Sequence, residues 1–226
     1  MKNIAIITAR SGSKGLKDKN IKLMNGKPLM AYSIDAAKAS GLFDEIMVST
    51  DSQKYADIAV EYGASVPFLR SAENSSDNAS SWDTVLEVIR RYRDVDRRFD
   101  TVCLLQPTSP LRTGEDIAGA YKVFQEKNVN AVTSVCEVDH SPLWTMTLDE
   151  DMMLTEFRKR NIDAPRQKLD TYYRINGAVY IRQIEYNDDN IVLEDDRECA
   201  YIMDKRKSVD IDDALDFAIG EFLLRK

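Results

Sequence analysis

The chain alternates short hydrophobic runs with stretches of helical period. Ile4 to Thr8 is a continuous apolar run, the pattern of a strand covered on both faces. A helix is predicted from about Pro28, with proline near its first turn and Gly41 beyond its end. A strand over Ile46 to Thr50 follows, then a helix from Ser52 to about Tyr62 stopped by Gly63, and a third strand from Ser65 to Leu69. Trp82 to about Tyr92 reads as a helix with Ser81 placed to cap it. Thr101 to Leu105 reads as a central strand, Gly114 to about Glu126 as a helix, and Ala131 to Val135 as another strand. Further strands are predicted at Ala178 to Ile181 and Cys199 to Met203. The closing helix, from about Asp213 to Leu224, is expected to turn Ala214, Phe217, Ala218 and Phe222 to the core. This rhythm implies an α/β chain with a mainly parallel sheet and helices on both faces.

The rhythm fails between about His140 and Tyr173, where Trp144, Met146, Met152, Met153 and the charged run Arg158-Lys159-Arg160 occur. Residues 140–173 therefore read as an inserted arm, leaving 1–139 and 174–226 as the main domain. Exposed apolar groups on such an arm point to a subunit interface; a mobile surface loop is the plainer alternative. At 226 residues the chain is long enough for one substantial core and short for two.

Hydrophobic residues at 43% and charged residues at 31% are ordinary for a soluble protein. The run Ile4 to Ile7 is too short for a signal sequence or a membrane span. Cys103, Cys136 and Cys199 lie far apart, and the first two sit in strand-like runs. They read as reduced core residues of a cytoplasmic protein. A net charge of -7 argues against a nucleic-acid or anionic-membrane partner. An anionic small substrate would then need locally concentrated positive charge, and Arg10, Lys14, Lys17, Lys19 and Lys22 supply it near the N-terminus.

Four stretches carry candidate chemistry. Arg10-Ser11-Gly12-Ser13-Lys14-Gly15 follows the first strand, where glycines let the backbone approach a ligand and Arg and Lys neutralise phosphate. It matches neither G-x-x-x-x-G-K-[ST] nor G-x-G-x-x-G, and a solvated turn is its plain reading. Asp210 and Asp212, two apart in an extended segment, point to the same side and suit Mg2+, whereas Asp212 or Asp213 would also serve as a helix cap. Gln106, at the end of a central strand before Pro107-Thr108-Ser109-Pro110, can hydrogen-bond a sugar hydroxyl or amide. Arg166 and Arg174, near the Asn176-Gly177 turn, can bind a carboxylate or form a solvated basic loop.

These stretches, with Val48-Ser49-Thr50-Asp51, Arg70, Asp77-Asn78-Ala79-Ser80-Ser81, Leu111-Arg112, Pro165-Arg166-Gln167, Asn176-Gly177-Ala178-Val179-Tyr180 and Val209-Asp210-Ile211-Asp212, occur in one order over nearly the whole chain. The sequence thereby resembles the acylneuraminate cytidylyltransferases, the CMP-sialic acid synthetases, including members that activate legionaminic and pseudaminic acids. The resemblance implies a Rossmann-like nucleotidyltransferase fold and a homodimer whose arm reaches the neighbouring active site. It assigns Arg10, Ser13, Lys14 and Asn20 to the phosphates and ribose of CTP, and Arg70, Ser80 and Ser81 to the nucleotide around cytosine. Gln106, Asn176, Tyr180 and Arg166 would meet a nine-carbon acidic sugar, and Asp210 and Asp212 would hold Mg2+. Arg10, Lys14, Asp210 and Asp212 would be the catalytic set. Some relatives place a lysine where this chain has Trp144 after His140-Ser141-Pro142-Leu143, which leaves open which nonulosonic acid is used. His140 reads as structural more than as a general base. Competing readings are activation of 3-deoxy-manno-octulosonate, cytidylyl transfer to a polyol phosphate, and a non-catalytic nucleotide-binding homologue.

Overall fold

The computed structural model of the chain describes residues 1–12, 15–76, 79–148, 150–158, 169–187 and 190–225. Its strands are β1 (Asn3–Thr8), β4 (Glu45–Ser49), β5 (Thr101–Leu105), β6 (Ala131–Glu137), β7 (Tyr173–Asn187), β8 (Asn190–Glu194) and β9 (Glu198–Ile202), with the two-residue pair β2 (Leu23–Met24) and β3 (Lys27–Pro28) apart from them. The helices are α1 (Leu29–Ser40), α2 (Gln53–Glu61), α3 (Ser81–Arg93), α4 (Gly114–Glu126), α5 (Thr155–Arg158) and α6 (Ala214–Leu223). Among the described residues the main sheet has the order β4-β1-β5-β7-β6-β9, with β8 added on β7. The pairs β1–β4, β1–β5 and β6–β9 are parallel, and β7 runs against both β5 and β6.

Strand periodicity decides which helix covers which face. Ala5 and Ile7 of β1, Val48 of β4 and Cys103 and Leu105 of β5 pack with α1, α2 and α4 in one apolar layer. Ile4, Ile6, Met47, Val102 and Leu104 point the other way, against Val85, Val88, Ile89 and Tyr92 of α3 and Ile191 of β8. Burying each Val, Leu, Ile or Met side chain among them contributes about 1.5–3 kcal/mol. Thr113 and Asp116 form a reciprocal capping box that starts α4 where the sequence predicts it.

The predicted strand from Ser65 to Leu69 is absent; Ser65 alone bridges Met47. Pro67 has no N–H to extend the ladder, so two backbone bonds, Ser65 N to Ile46 O and Val48 N to Ser65 O, are the whole pairing there. The cap of α3 is Ser80, not Ser81: Ser80 and Asp83 exchange the two bonds of a capping box. The predicted core face of α6 is also wrong. Phe217 and Gly220 are buried, whereas Ala214, Ala218 and Phe222 are exposed. The helix approaches through Gly220, where a Cβ would lie 3.0 Å from Ile211 and 3.2 Å from Met24.

Between β6 and β7 the described residues hold a short 3-10 turn (Pro142–Trp144) and the four-residue α5. Leu143, Leu148, Met152 and Met153 are exposed there, as are Tyr173 and Ile175 at the start of β7. No helix among the described residues is long and apolar enough to cross a membrane.

Candidate active site

A cleft of about 560 Å3 opens at the C-terminal ends of β1 and β5. Four pieces of chain meet in it: the loop after β1 (Arg10, Gly15, Lys19, Asn20), the wall from Arg70 to Thr84, the β5 exit (Gln106, Pro107, Thr108) and the carboxylates Asp210 and Asp212. In open α/β sheets this end of the strands is where ligands bind.

The loop after β1 is held from both sides. Ser11 donates its N–H and hydroxyl to Asp51 at 2.8 and 2.7 Å, and Ala9 N donates to Ser49 O at 2.9 Å. Burial alone would raise the Asp51 carboxyl, but the bonds from Ser11 outweigh it and hold the group below the usual carboxylate range. On the other side the buried Asn20 donates Nδ2 to Arg10 O at 3.0 Å. Asn20 therefore shapes the loop as well as lining the cleft. Lys19 reaches across to donate to Ile211 O at 2.5 Å and to Asp212 Oδ1 at 3.1 Å. At Gly15 a Cβ would lie 2.7 Å from Asp212 O, so the basic loop and the acidic segment touch through a residue without a side chain. Ser13 and Lys14 lie outside the described residues, as does Arg166.

The acidic segment is set by its backbone: Ile211 N donates to Thr108 O at 2.8 Å. Asp210 Oδ1 is buried with no hydrogen-bond partner among the described residues. Burial, with the charge of Asp212, raises the Asp210 carboxyl, and the hydrogen bond from Thr108 and the charge of Lys19 offset part of that rise. Asp213 is the cap of α6, accepting from the backbone N–H groups of Leu215 and Asp216, so Asp212 is left to the cleft. No group of three or more His, Cys, Asp or Glu that could hold a metal occurs among the described residues.

In the wall, Arg70 is buried and donates Nε to Ser49 Oγ at 3.0 Å and Nη2 to Ser49 O at 2.5 Å. Burial lowers it to about 10, partly offset by Asp51 and Glu87, so it remains charged at neutral pH. Ser80, Ser81 and Thr84 bring the N-terminus of α3, an electropositive end, to the cleft. Glu87 of α3 fastens the wall, accepting from Ser71 N at 3.0 Å, Ser71 Oγ at 2.8 Å and Asn74 Nδ2 at 2.6 Å. Glu87→Gln sets an amide N–H against these donors. Losing about 1 kcal/mol of fixed hydrogen bonding should raise the KM for the ligand held by this wall about three- to tenfold with kcat little changed. Steady-state kinetics with that ligand varied checks this; a fall in kcat with KM unmoved is the opposing result.

At the β5 exit, Gln106 sits against Gly177 of β7, whose φ of +76° favours glycine and whose Cβ would lie 2.6 Å from Gln106 Oε1. The buried Arg112 clamps the strand ends, donating Nη1 to Ala178 O at 2.7 Å and to Gln106 O at 3.3 Å. Two predicted sugar contacts are not among the residues lining the cleft. Asn176 is buried with its amide bonded to Ser134 and Ser208. Tyr180 is partly buried, edge-on to Trp82 at 6.1 Å, and its hydroxyl is raised by burial and by the charge of Asp210. The cleft thus gathers Arg10, Asn20, Arg70, Ser80, Ser81, Gln106, Asp210 and Asp212. Sequence reasoning counted Lys19 only among the N-terminal cations and assigned no role to Asp51, Asn74, Glu87 or Thr108; of these four, Asp51 and Thr108 stand within stretches already singled out.

The family profile described as Cytidylyltransferase matches residues 4–206 of this chain. The chain belongs to the cytidylyltransferase family. It is therefore an enzyme of the nucleotidyltransferase class. It is 36% identical to a CMP-N,N'-diacetyllegionaminic acid synthase of Legionella pneumophila, over 99% of this chain and 97% of that protein. It is 37% identical to an N-acylneuraminate cytidylyltransferase of Escherichia coli O18:K1:H7, over 100% of this chain and 52% of that longer protein. Among solved structures, a CMP:2-keto-3-deoxy-manno-octonic acid synthetase complexed with CTP shares the fold, with a TM-score of 0.70 at 14% identity over 100% of this chain and 99% of that one. Cytidylyltransferase membership thus agrees with the α/β architecture and with a cleft that sets cations against carboxylates.

Proposed function

We propose that this cytidylyltransferase transfers CMP from CTP to the anomeric hydroxyl of a nine-carbon acidic sugar, releasing pyrophosphate. The observation that carries the reading is the meeting of Arg10 and Lys19 with Asp210 and Asp212 in one cleft beside the α3 N-terminus. Similarity to proteins named for legionaminic and acylneuraminic acids supports the sugar class. N-acetylneuraminate, legionaminate and pseudaminate are its candidates, with Trp144 as the departure that bears on the choice.

Asp210 Oδ1, without a partner among the described residues, and the nearby Asp212 fit Mg2+, a hard cation that needs few protein oxygens and takes the rest from water and phosphate. Asp210 and Asp212 would hold it; when bound it supplies positive charge that polarises the α-phosphate of CTP. Arg10, with Lys14 on the same loop, neutralises the triphosphate, and Lys19, bonded to Asp212, adds positive charge for the departing pyrophosphate. Arg70, Ser80 and Ser81 hold the nucleoside side, and Gln106 orients the sugar for in-line attack. Positioning and charge do most of the work, as in other phosphoryl transfers. Arg166, from the arm of a second copy, would meet the sugar carboxylate. The exposed Leu143, Met152, Met153, Tyr173 and Ile175 suit an interface in such a homodimer. A cytoplasmic setting follows the reduced cysteines and the cytosolic nucleotide.

Pyrophosphate release from CTP with Mg2+ tests the proposal across N-acetylneuraminic, legionaminic, pseudaminic and octulosonic acids. Turnover is expected with one or more of the nine-carbon acids, at kcat/KM at least about tenfold above the eight-carbon acid, a difference of about 1.4 kcal/mol. Preference for the octulosonic acid, or no release with any sugar, overturns it.

A further inference from the structure

We propose that Asn176 is a positioning residue for the acidic pair, acting on Asp210 through Ser208, and not a contact to the sugar. The inference rests on the reading of Asp210 and Asp212 as the Mg2+ ligands. Asn176 is 1% exposed. Its Nδ2 donates to Ser208 Oγ at 2.9 Å and faces Met203 Sδ at 3.4 Å. Its Oδ1 accepts from Ser134 Oγ at 2.6 Å and from Ala178 N at 3.2 Å. An amide has two donor hydrogens and two acceptor lone pairs, and the interior of this protein takes all four. A substrate would have to displace one of these bonds to reach it.

Those bonds lead to the carboxylates. Ser208, also 1% exposed, passes its hydroxyl hydrogen to Asp204 O at 2.9 Å, and Arg174 donates Nη2 to Ser208 O at 3.0 Å. Two residues on stands Asp210, and the following N–H, of Ile211, is bound by Thr108 O at 2.8 Å. Segment 208–211 is therefore pinned to β7 at one end and to the β5 exit at the other, with Asp210 between the pins. Thr108 holds the Asp210 carboxylate by a hydrogen bond, Oδ1 is left without a partner among the described residues, and the pinned backbone sets where the carboxylate stands. The Asn176-Gly177 kink supplies the geometry: the β6–β7 register shifts between Thr133 and Val135, and Gly177 turns at φ +76°. The same kink packs Gly177 on Gln106. Partners that orient a metal ligand from behind are worth about 10–100-fold in metal affinity.

The test measures Mn2+ binding by electron paramagnetic resonance, in the presence of CTP, for the wild-type chain, Asn176→Ala, Ser208→Ala and Asp210→Asn, together with the KM for the acidic sugar. Asn176→Ala and Ser208→Ala should each weaken Mn2+ binding about tenfold or more while the sugar KM moves less than twofold. Ser208→Ala removes one hydroxyl from a buried turn and keeps the test open if Asn176→Ala does not fold. Mn2+ affinity equal to wild type in both variants, or a raised sugar KM in Asn176→Ala with Mn2+ affinity intact, overturns the positioning role. If Asp210→Asn itself binds Mn2+ as wild type does, the metal reading has failed and the inference falls with it.

Discussion

Asp210→Asn should turn over at least about a thousandfold more slowly than wild type, a loss of about 4 kcal/mol of transition-state stabilisation, in a chain no less stable. The two effects have opposite signs for one reason. Burial and the charge of Asp212 raise the Asp210 carboxyl, so folding without a cation works against its ionised form. The folded pKa lies above the unfolded one of about 3.9. The resulting destabilisation is complete above the folded value and fades as pH falls through it toward the unfolded value. Without divalent cation at pH 8 the variant should therefore melt at or above the wild-type temperature, and the gap should close near pH 4. With Mg2+ and CTP the order reverses, because ligation stabilises wild type alone. Calorimetry with and without Mg2+, beside pyrophosphate release, reads all of this. Near-normal turnover, or an undiminished Mg2+-dependent rise in melting temperature, removes Asp210 from the mechanism.

Gly15→Ala should lower kcat/KM about a hundredfold, the order expected when reacting groups are displaced by about 1 Å. A Cβ at Gly15 would stand 2.7 Å from Asp212 O, a backbone atom that cannot rotate aside. Relief requires the basic loop and the acidic segment to part, which separates Arg10 and Lys19 from the carboxylates they face. Gly12→Ala, in the same loop, is the steric control, since no described atom lies within 4 Å of its would-be Cβ. The kinetics of both variants check the point: equal losses would mean that loop freedom, not the contact with Asp212, is what glycine provides.

Much of this was legible in the chain because local signals and tertiary structure agreed. β5 (Thr101–Leu105) and α4 (Gly114–Glu126) keep the bounds that the sequence pattern gives them. The failures share a different cause. The α6 stripe counted alanines and Phe222, but the helix docks through Gly220, which a hydrophobic pattern cannot weigh. β7 reads as a short run over Ala178 to Ile181 because its charged and aromatic flanks, from Tyr173 to Asn187, alternate between core and solvent. β8 escaped notice, a five-residue strand whose pairing with β7 its own composition does not announce. Within the site, several residues that line the cleft, such as Arg10, Asp210 and Asp212, stood out in the sequence, whereas Asp51, Glu87 and Ser208 act on backbone and side chains that only the fold brings near. Asn176, which the resemblance assigns to the sugar, is buried with its amide bonded to Ser134 and Ser208, partners that only the fold brings near.

The contact of Lys19 with Ile211 and Asp212 joins positions 192 and 193 residues apart. During synthesis at about 5–20 residues per second, the basic loop after β1 leaves the ribosome some 10–40 seconds before the carboxylates that complete the cleft. A nascent chain in that interval carries the loop's cations without their acidic counterpart. Capture of nucleotide in productive form is thereby tied to completion of the sheet, and ligand can reward only the finished fold.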